Sequence, residues 1–229
     1  MEETLEKEYT EKILNSNFWN APMSPDEKKK TLEYFNNLIN SEEFLQQIKQ
    51  IVNKQGPFVI NLFGGPGSGK STIAAGLFYK LKIRGVNCEL CTEYAKDMVW
   101  EESYHTLDDQ IYVFGKQHHR LWRVKDKVDV IICDSPLILS CYYSKTESLY
   151  FEKFIVEQFN KFNNVNYFIN RSNSYSEVGR MQTIDEARGI DQEIMNILNR
   201  HNIKYDVLEQ ADAINTIYDE TIIKLNKKL

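Results

Sequence analysis

Two patterns of apolar residues alternate along residues 56–229. Short apolar runs, typical of buried strands, lie at 58–63, 86–92, 128–134, 165–170 and 204–208. Between the runs, apolar side chains recur every three or four positions, which predicts helices at 71–84, 108–127, 149–162, 185–200 and 211–224. Strands that alternate with helices of this length predict an α/β fold with a five-stranded parallel sheet that is covered by helices on both faces.

Residues 1–55 have a different pattern, rich in Glu, Lys and Asn with helical spacing of Leu and Phe. Ser24 to Glu27 predicts a helix start, with an N-cap, a proline at the first helical position and a capping-box acid. We therefore predict a helical N-terminal extension over 1–55 and an α/β domain over 56–229. The extension is expected to pack on the outside of the α/β domain; the alternative is a surface for a homodimer or another partner.

Composition excludes some classes of protein and leaves others open. The net charge of −5 argues mildly against a protein whose main task is to coat nucleic acid. No apolar run approaches the roughly 20 residues of a membrane span, and the acidic N-terminus lacks a signal-peptide core, so a cytoplasmic protein is expected. Cys88 and Cys91 form a C-x-x-C inside a strand without a second ligand pair, which favours buried thiols over a zinc site.

The segment between the first strand and the first helix carries the most specific motif, because 64–71 fits the phosphate-loop pattern G-x-x-x-x-G-K-[ST] at every fixed position. Its backbone N–H groups and the following helix N-terminus are suited to phosphate oxygens. Lys70 is expected to reach the β- and γ-phosphates, and the Ser71 hydroxyl to ligate Mg²⁺. The chain is thus expected to bind ATP or GTP with Mg²⁺. The predicted nucleotide-binding residues are Gly65, Pro66, Gly67, Ser68, Gly69, Lys70, Ser71 and Thr72.

Two carboxylates follow other strands and are expected at the same edge of the sheet as the phosphate loop. Asp134 ends the third strand, where a carboxylate holds Mg²⁺ or polarises the attacking group; helix capping is the alternative. Glu93 follows the second strand and is the predicted proton acceptor for an attacking hydroxyl, or a ligand for the acceptor's sugar.

The stretch from 100 to 123 mixes aromatic rings with amides, which suits a flat heterocyclic acceptor. Gln110, Phe114 and Gln117 share one face of the predicted helix, although Phe114 taken alone is equally suited to the core. With Glu93, the predicted acceptor-binding residues are Trp100, Gln110, Phe114 and Arg120.

Arginines cluster after the fourth strand, around a loop rich in Ser, Asn and Gly. This pattern predicts a lid that brings positive charge to a transferring phosphoryl group, with Arg180 as its catalytic residue and Arg171 and Arg188 as further members. The alternative is an ordinary basic surface loop.

Taken together, these motifs resemble small P-loop nucleoside and nucleotide kinases, and most closely the phage-type AAA ATP-binding proteins related to the ribosylnicotinamide kinase domain. The segments concerned are the phosphate loop, 92–96, the 108–120 helix, 133–136 and 179–180. The resemblance implies a three-layer P-loop kinase fold, ATP with Mg²⁺, and a nucleoside-like or nucleotide-like acceptor.

Individual residues match that family unevenly. In deoxynucleoside kinases a Glu after the second strand acts as base, and a downstream Trp and Gln contact the nucleoside; Glu93, Trp100 and Gln110 follow in that order. The arginine that those kinases carry after the third strand is replaced here by Ser135. Monophosphate kinases carry an arginine after the second strand, where Lys96 is the nearest cation here and Arg120 or Arg123 could substitute.

Three hypotheses follow. The leading one is a kinase that phosphorylates a nucleoside or a nucleoside monophosphate. The second is a kinase that acts on polynucleotide ends or modified bases, with a basic groove along 116–127. The third is an ATP-dependent switch that binds a partner through residues 1–55.

Overall fold

The computed structural model describes residues 56–144, 148–171 and 184–226, with isolated positions between 24 and 37. It divides into two units, the larger spanning Gly56–Ile222 and the smaller made of Met1–Gln55 with Ile223–Leu229. In the smaller unit, Ser24 and Glu27 exchange hydrogen bonds: the backbone N–H of Ser24 donates to Glu27 Oε2 over 2.8 Å, and the N–H of Glu27 donates to Ser24 Oγ over 3.3 Å. This is the reciprocal capping box that the sequence predicts. Other expectations for 1–55 lie outside the described residues.

The larger unit is built on a five-stranded sheet in the order β2-β3-β1-β4-β5, with every neighbouring pair parallel. The strands are β1 (Phe58–Phe63), β2 (Cys88–Cys91), β3 (Val130–Cys133), β4 (Asn163–Asn170) and β5 (Asp206–Glu209). The predicted α/β fold class with a five-stranded parallel sheet is confirmed.

Helices connect the strands and cover the sheet. They are α1 (Lys70–Ile83), α2 (Tyr94–Trp100), α3 (Gln110–Trp122), α4 (Leu139–Tyr143), α5 (Leu149–Asn160), α6 (Ile184–Arg200) and α7 (Gln210–Asn226), with one 3₁₀ turn at Tyr104–Asp108. The helix predicted over 108–127 is shorter in the structure. Asp108 belongs to the 3₁₀ turn, and residues 123–127 lie beyond the end of α3. Neither α2 nor α4 was predicted. Among the described residues, no helix combines the length and the apolar character that crossing a membrane requires.

Strand β1 lies at the centre of the core and alternates its side chains between the two faces of the sheet. Val59 and Phe63 pack in a cluster with residues of α3, α5 and α6. Between them on the same face, Asn61 is buried and donates to Asn164 Oδ1 over 2.9 Å and to Asn166 Oδ1 over 3.0 Å on β4. These amide hydrogen bonds join β1 to β4 at a buried position where apolar side chains are usual.

The strand order places β1 at a topological switch point. From β1 the chain first builds β2 and β3 on one side, and later builds β4 and β5 on the other. In open parallel sheets, ligands bind in the crevice at the carboxyl ends of the strands at such a point. The residues that follow β1, β2, β3 and β4 therefore face a common edge.

Candidate functional site

The loop that follows β1 turns through three glycines in the left-handed region. Gly64, Gly67 and Gly69 have φ values of 137°, 80° and 89°, which residues with a Cβ adopt only at a cost. Gly69 is also the N-cap of α1, and its carbonyl accepts the N–H of Ile73 over 2.9 Å. The loop therefore presents a curved run of main chain directly at a helix N-terminus, the arrangement that binds phosphate.

The Lys70 side chain lies back across this loop. Its Nζ donates to the carbonyl oxygens of Gly64 over 2.6 Å and of Gly65 over 2.9 Å. Burial lowers the pKa of Lys70, whereas the nearby carboxylates of Glu93 and Asp134 act to raise it. The ammonium is thus fixed above the phosphate loop, within electrostatic reach of both predicted carboxylates.

Two oxygen-bearing side chains near the loop fit a hard cation. Asp134 directly follows β3, is 6% exposed, and its Oδ1 has no hydrogen-bond partner among the described residues. Ser71 lies exposed in the first turn of α1, as does Thr72. Mg²⁺ is bound in proteins through carboxylate and hydroxyl oxygens together with water, so a buried unpartnered carboxylate oxygen beside a phosphate loop suits it.

Glu93 occupies the N-cap position of α2, yet its side chain makes no capping hydrogen bond. Burial raises the pKa of Glu93, Lys70 lowers it and Asp134 raises it further. The charged and titratable groups around Glu93 are Lys70, Asp134, Lys96, Asp97 and Tyr143. The structure therefore brings three of the predicted catalytic residues, Lys70, Glu93 and Asp134, to one edge of the sheet.

An ion pair that the sequence analysis missed holds the outer rim of the phosphate loop. The carboxylate of Asp191, on α6, accepts the N–H of Gly65 over 2.5 Å and the Nη2 of Arg171 over 2.9 Å. Arg171, directly after β4, also donates from Nη1 to the carbonyl of Pro66 over 2.5 Å. The side chain of Arg171 is 8% exposed and that of Asp191 is 14% exposed. We call this group of contacts the loop clamp.

Arg171, one of the predicted lid residues, belongs to the loop clamp. Its guanidinium is buried against Asp191 and the phosphate loop, and its contribution to a lid stays a prediction. Arg188 lies exposed in the second turn of α6 and pairs with Asp185 over 3.4 Å. Arg180 lies outside the described residues.

The predicted acceptor-binding residues separate into different environments. Trp100 is 78% exposed at the end of α2. Gln110 begins α3 and donates to the carbonyl of Leu107 over 2.5 Å. Phe114 is 4% exposed and packs edge-on against Phe151 of α5, with 5.7 Å between the ring centroids. This contact matches the alternative that Phe114 belongs to the core, and its binding to an acceptor stays a prediction.

Arg120 is also committed to contacts within the protein. It forms an ion pair with Asp97 and donates from Nη1 to the carbonyl and the hydroxyl oxygen of Thr92 over 3.1 and 2.7 Å. Arg120 thus braces the segment that carries Glu93, and its binding to an acceptor stays a prediction.

Solved structures to which the chain is similar include deoxyadenosine kinase from M. mycoides with its products dCMP and a flexible dCDP bound. It is 18% identical, its match covers 74% of this chain and 99% of that one, and its TM-score is 0.47. The same kinase with bound dATP is 18% identical over 73% of this chain and 99% of that one, with a TM-score of 0.44. No curated protein sequence matches the chain.

A protein-family model matches a stretch of the chain that contains most of the sequence features described above. The family model for the AAA domain matches residues 59–213, from the first strand to the start of the last helix. This stretch is more than half of the chain and contains the phosphate loop, both strand-end carboxylates and the loop clamp. The resemblance to AAA-type ATP-binding proteins is confirmed, and the chain belongs to the AAA domain family.

Proposed function

We propose that the protein is a kinase that transfers the γ-phosphate of ATP to a hydroxyl group of a nucleoside or a nucleoside monophosphate. The observation that carries the proposal is the convergence of Lys70, Glu93 and Asp134. One cation over a phosphate loop and two carboxylates share an edge of the sheet, and each carboxylate alters the pKa of Lys70. A site that only binds nucleotide needs the loop and the lysine, but has no use for a second, half-buried carboxylate beside them.

On the donor side, the loop main chain and Lys70 bind the phosphates of ATP. Lys70 already lies across the loop and needs only to exchange its carbonyl partners for phosphate oxygens. Ser71 Oγ and Asp134 would hold Mg²⁺, which neutralises charge on the β- and γ-phosphate oxygens.

On the acceptor side, Glu93 receives the proton of the attacking hydroxyl. The new bond joins that oxygen to the γ-phosphorus, the bond to the β–γ bridging oxygen breaks, and ADP leaves. Burial raises the pKa of Glu93, and a base is most effective when its pKa lies near the working pH. Arg180, together with Arg188, is proposed to bring positive charge close to the transferring phosphoryl group and to stabilise the negative charge on its oxygens.

The proposal is tested by ADP release from the full-length protein with Mg²⁺ and ATP, against a panel of nucleosides, nucleoside monophosphates and nicotinamide riboside. We expect at least one acceptor to raise turnover above the rate in water alone, and Lys70→Ala to abolish that increase. A parallel series with GTP identifies the donor. If no acceptor raises turnover, the kinase proposal fails.

A second candidate, a kinase for polynucleotide ends, is favoured by one surface of α3. Tyr112, Lys116, His119, Trp122 and Arg123 are exposed and form a stripe along that helix. Lys116 Nζ lies 5.2 Å from the Tyr112 ring centroid, and His119 stacks on Trp122 at 5.8 Å. Rings that alternate with cations suit the bases and phosphates of a single strand. Oligonucleotide binding that persists near physiological salt and weakens with added salt would favour this candidate; its absence would remove it.

A further inference from the structure

One side chain contacts the main chain on both sides of Glu93. The carboxamide of Gln117, on α3, accepts the backbone N–H of Tyr94 at Oε1 over 2.8 Å. Its Nε2 donates to the carbonyl of Thr92 over 3.3 Å. Gln117 is 4% exposed, so these bonds form with little competition from water. The residue between the two contacts is Glu93, whose own backbone is extended.

The carboxylate of Glu93 takes no part in capping α2. The first N–H groups of a helix need partners outside the helix, and a side chain at the N-cap usually supplies one. Glu93 holds the N-cap position of α2 and makes no such bond. Gln117 accepts the first helical N–H, that of Tyr94, whereas an N-cap side chain accepts that of the second or third helical residue. The carboxylate of Glu93 makes no such bond and lies within electrostatic reach of Lys70 and Asp134.

Arg120 adds a second brace from the same helix. It lies three residues after Gln117 and therefore on the same face of α3. It donates to the carbonyl and the hydroxyl oxygen of Thr92, and its guanidinium lies 5.4 Å from the centroid of the Tyr94 ring. The main chain before and after Glu93 is thus held from α3 by polar contacts, while the side chain of Glu93 is not.

We propose that Gln117 is a positioning residue that holds the carboxylate of Glu93 at the reacting edge of the sheet. Its catalytic consequence rests on the proposed function, because only there does Glu93 receive a proton from the acceptor. The geometric part, that Gln117 determines where Glu93 lies, holds whether or not the protein is a kinase.

The test replaces Gln117 by methionine, which has a similar length and no amide. The matched control is Gln158→Met, the same change on α5, at a residue that takes no part in the proposed site or the loop clamp. We expect kcat for the acceptor reaction to fall about 10- to 100-fold, because a displacement of about 1 Å costs up to that much. The KM for ATP should stay within about twofold, since the phosphate loop is untouched.

A second measurement does not depend on activity. Carbon-13 NMR of the glutamate side-chain carboxyls, with Glu93 assigned by its loss in Glu93→Gln, follows the titration of Glu93 directly. In Gln117→Met we expect its midpoint to fall towards the ordinary value for glutamate, because a loosened segment exposes the carboxylate to water. Gln158→Met should titrate as the wild type does.

Each outcome decides a different point. A folded Gln117→Met protein with wild-type kcat and wild-type titration of Glu93 would overturn the positioning role. If the wild type itself shows no acceptor-dependent turnover, the kinase proposal fails and the NMR titration alone decides the role of Gln117. If Gln117→Met does not fold, Gln117→Asn replaces it, because the asparagine amide is one methylene too short to reach both Thr92 and Tyr94. The same fall in kcat and the same fall in the titration midpoint of Glu93 are then expected.

Discussion

At the scale of single residues, the carboxyl group of Glu93 is held between opposing influences. Burial raises its pKa most, the Lys70 ammonium lowers it, and the Asp134 carboxylate raises it again. The pKa of an exposed glutamate after a strand would be shifted less by each of these effects. The net effect is a raised pKa, so Glu93 holds a proton more readily than an exposed glutamate does.

The first prediction concerns the pH dependence of the proposed reaction. Protonated Glu93 cannot accept the acceptor's proton, so kcat should fall on the acid side with a midpoint above about 4.3, the ordinary pKa of glutamate. Glu93→Gln should remove this acid limb and lower kcat about 100-fold or more. Equilibrium binding of ATP should change little, and an equal loss of ATP affinity and kcat would take Glu93 out of the catalytic role.

The second prediction concerns stability. Folding raises the pKa of Glu93, so the folded state holds this proton more tightly than the unfolded chain. The stability that accompanies the protonated form is fully present below the ordinary pKa and is lost as pH rises through the folded pKa. Glu93→Gln should therefore have a higher Tm than the wild type at pH 8, and the difference should shrink in acid. A Tm below that of the wild type at pH 8 would mean that the carboxylate is stabilised by its neighbours.

Strand-end residues could be predicted from the sequence, whereas their supports could not. Glu93 and Asp134 each lie at the end of an apolar run, and Lys70 ends the phosphate loop that follows another, so the rule for parallel sheets brings the three together. Gln117 and Asp191 lie inside helices, where nothing in the local pattern separates a surface amide or acid from a buried one. Asp191 is 126 positions from the Gly65 N–H that it accepts, and only the packed fold reveals that contact.

At the scale of elements, length decided which helices the sequence could predict. Helices α1, α3, α5, α6 and α7 each span 12 or more residues, enough to show helical spacing of apolar side chains. Helix α4 has five residues and α2 has seven, about one to two turns, too few for a period to emerge. Yet α2 begins immediately after Glu93, so the prediction missed the helix whose N-cap is this residue.

The loop clamp is the clearest link between elements, since it joins α6 and the end of β4 to the phosphate loop. The third prediction is that Asp191→Ala lowers the free energy of unfolding by about 3 kcal/mol, because breaking a buried ion pair leaves its cation poorly compensated. Urea unfolding measures this value, and ATP affinity should fall with it because the Gly65 N–H loses its acceptor.

Two further variants show whether the clamp is the cause. Gln192→Ala, at the exposed neighbouring position on α6, should change stability by less than about 0.5 kcal/mol. The double variant Asp191→Ala with Arg171→Met should lose less free energy of unfolding than the two single variants lose in sum, because the partners share one interaction. Additive losses would mean that Asp191 and Arg171 act separately.

At the scale of the whole molecule, the sequence predicted the class of fold but not the order of the strands. Alternating strands and helices imply a parallel sheet, and the phosphate loop after β1 implies a ligand at its carboxyl edge. The order β2-β3-β1-β4-β5 depends on which strands become neighbours, and five apolar runs carry no label for that choice. The order matters because β1 lies between β3 and β4, so Asp134 and Arg171 flank the phosphate loop from opposite sides.

The last prediction separates a kinase from a nucleotide-dependent switch. Every residue of the proposed site that the structure describes, together with Gln117 and the loop clamp, belongs to the unit Gly56–Ile222. We therefore expect deletion of residues 1–55 to leave kcat and the KM values for ATP and acceptor within about twofold of the full chain. The control is the same deletion in Lys70→Ala, which should remain inactive. A deletion that keeps ATP binding but loses acceptor turnover would contradict this assignment, because those 55 residues would then be needed for chemistry. A full chain without acceptor turnover, whose deletion loses binding of a partner, would favour the switch.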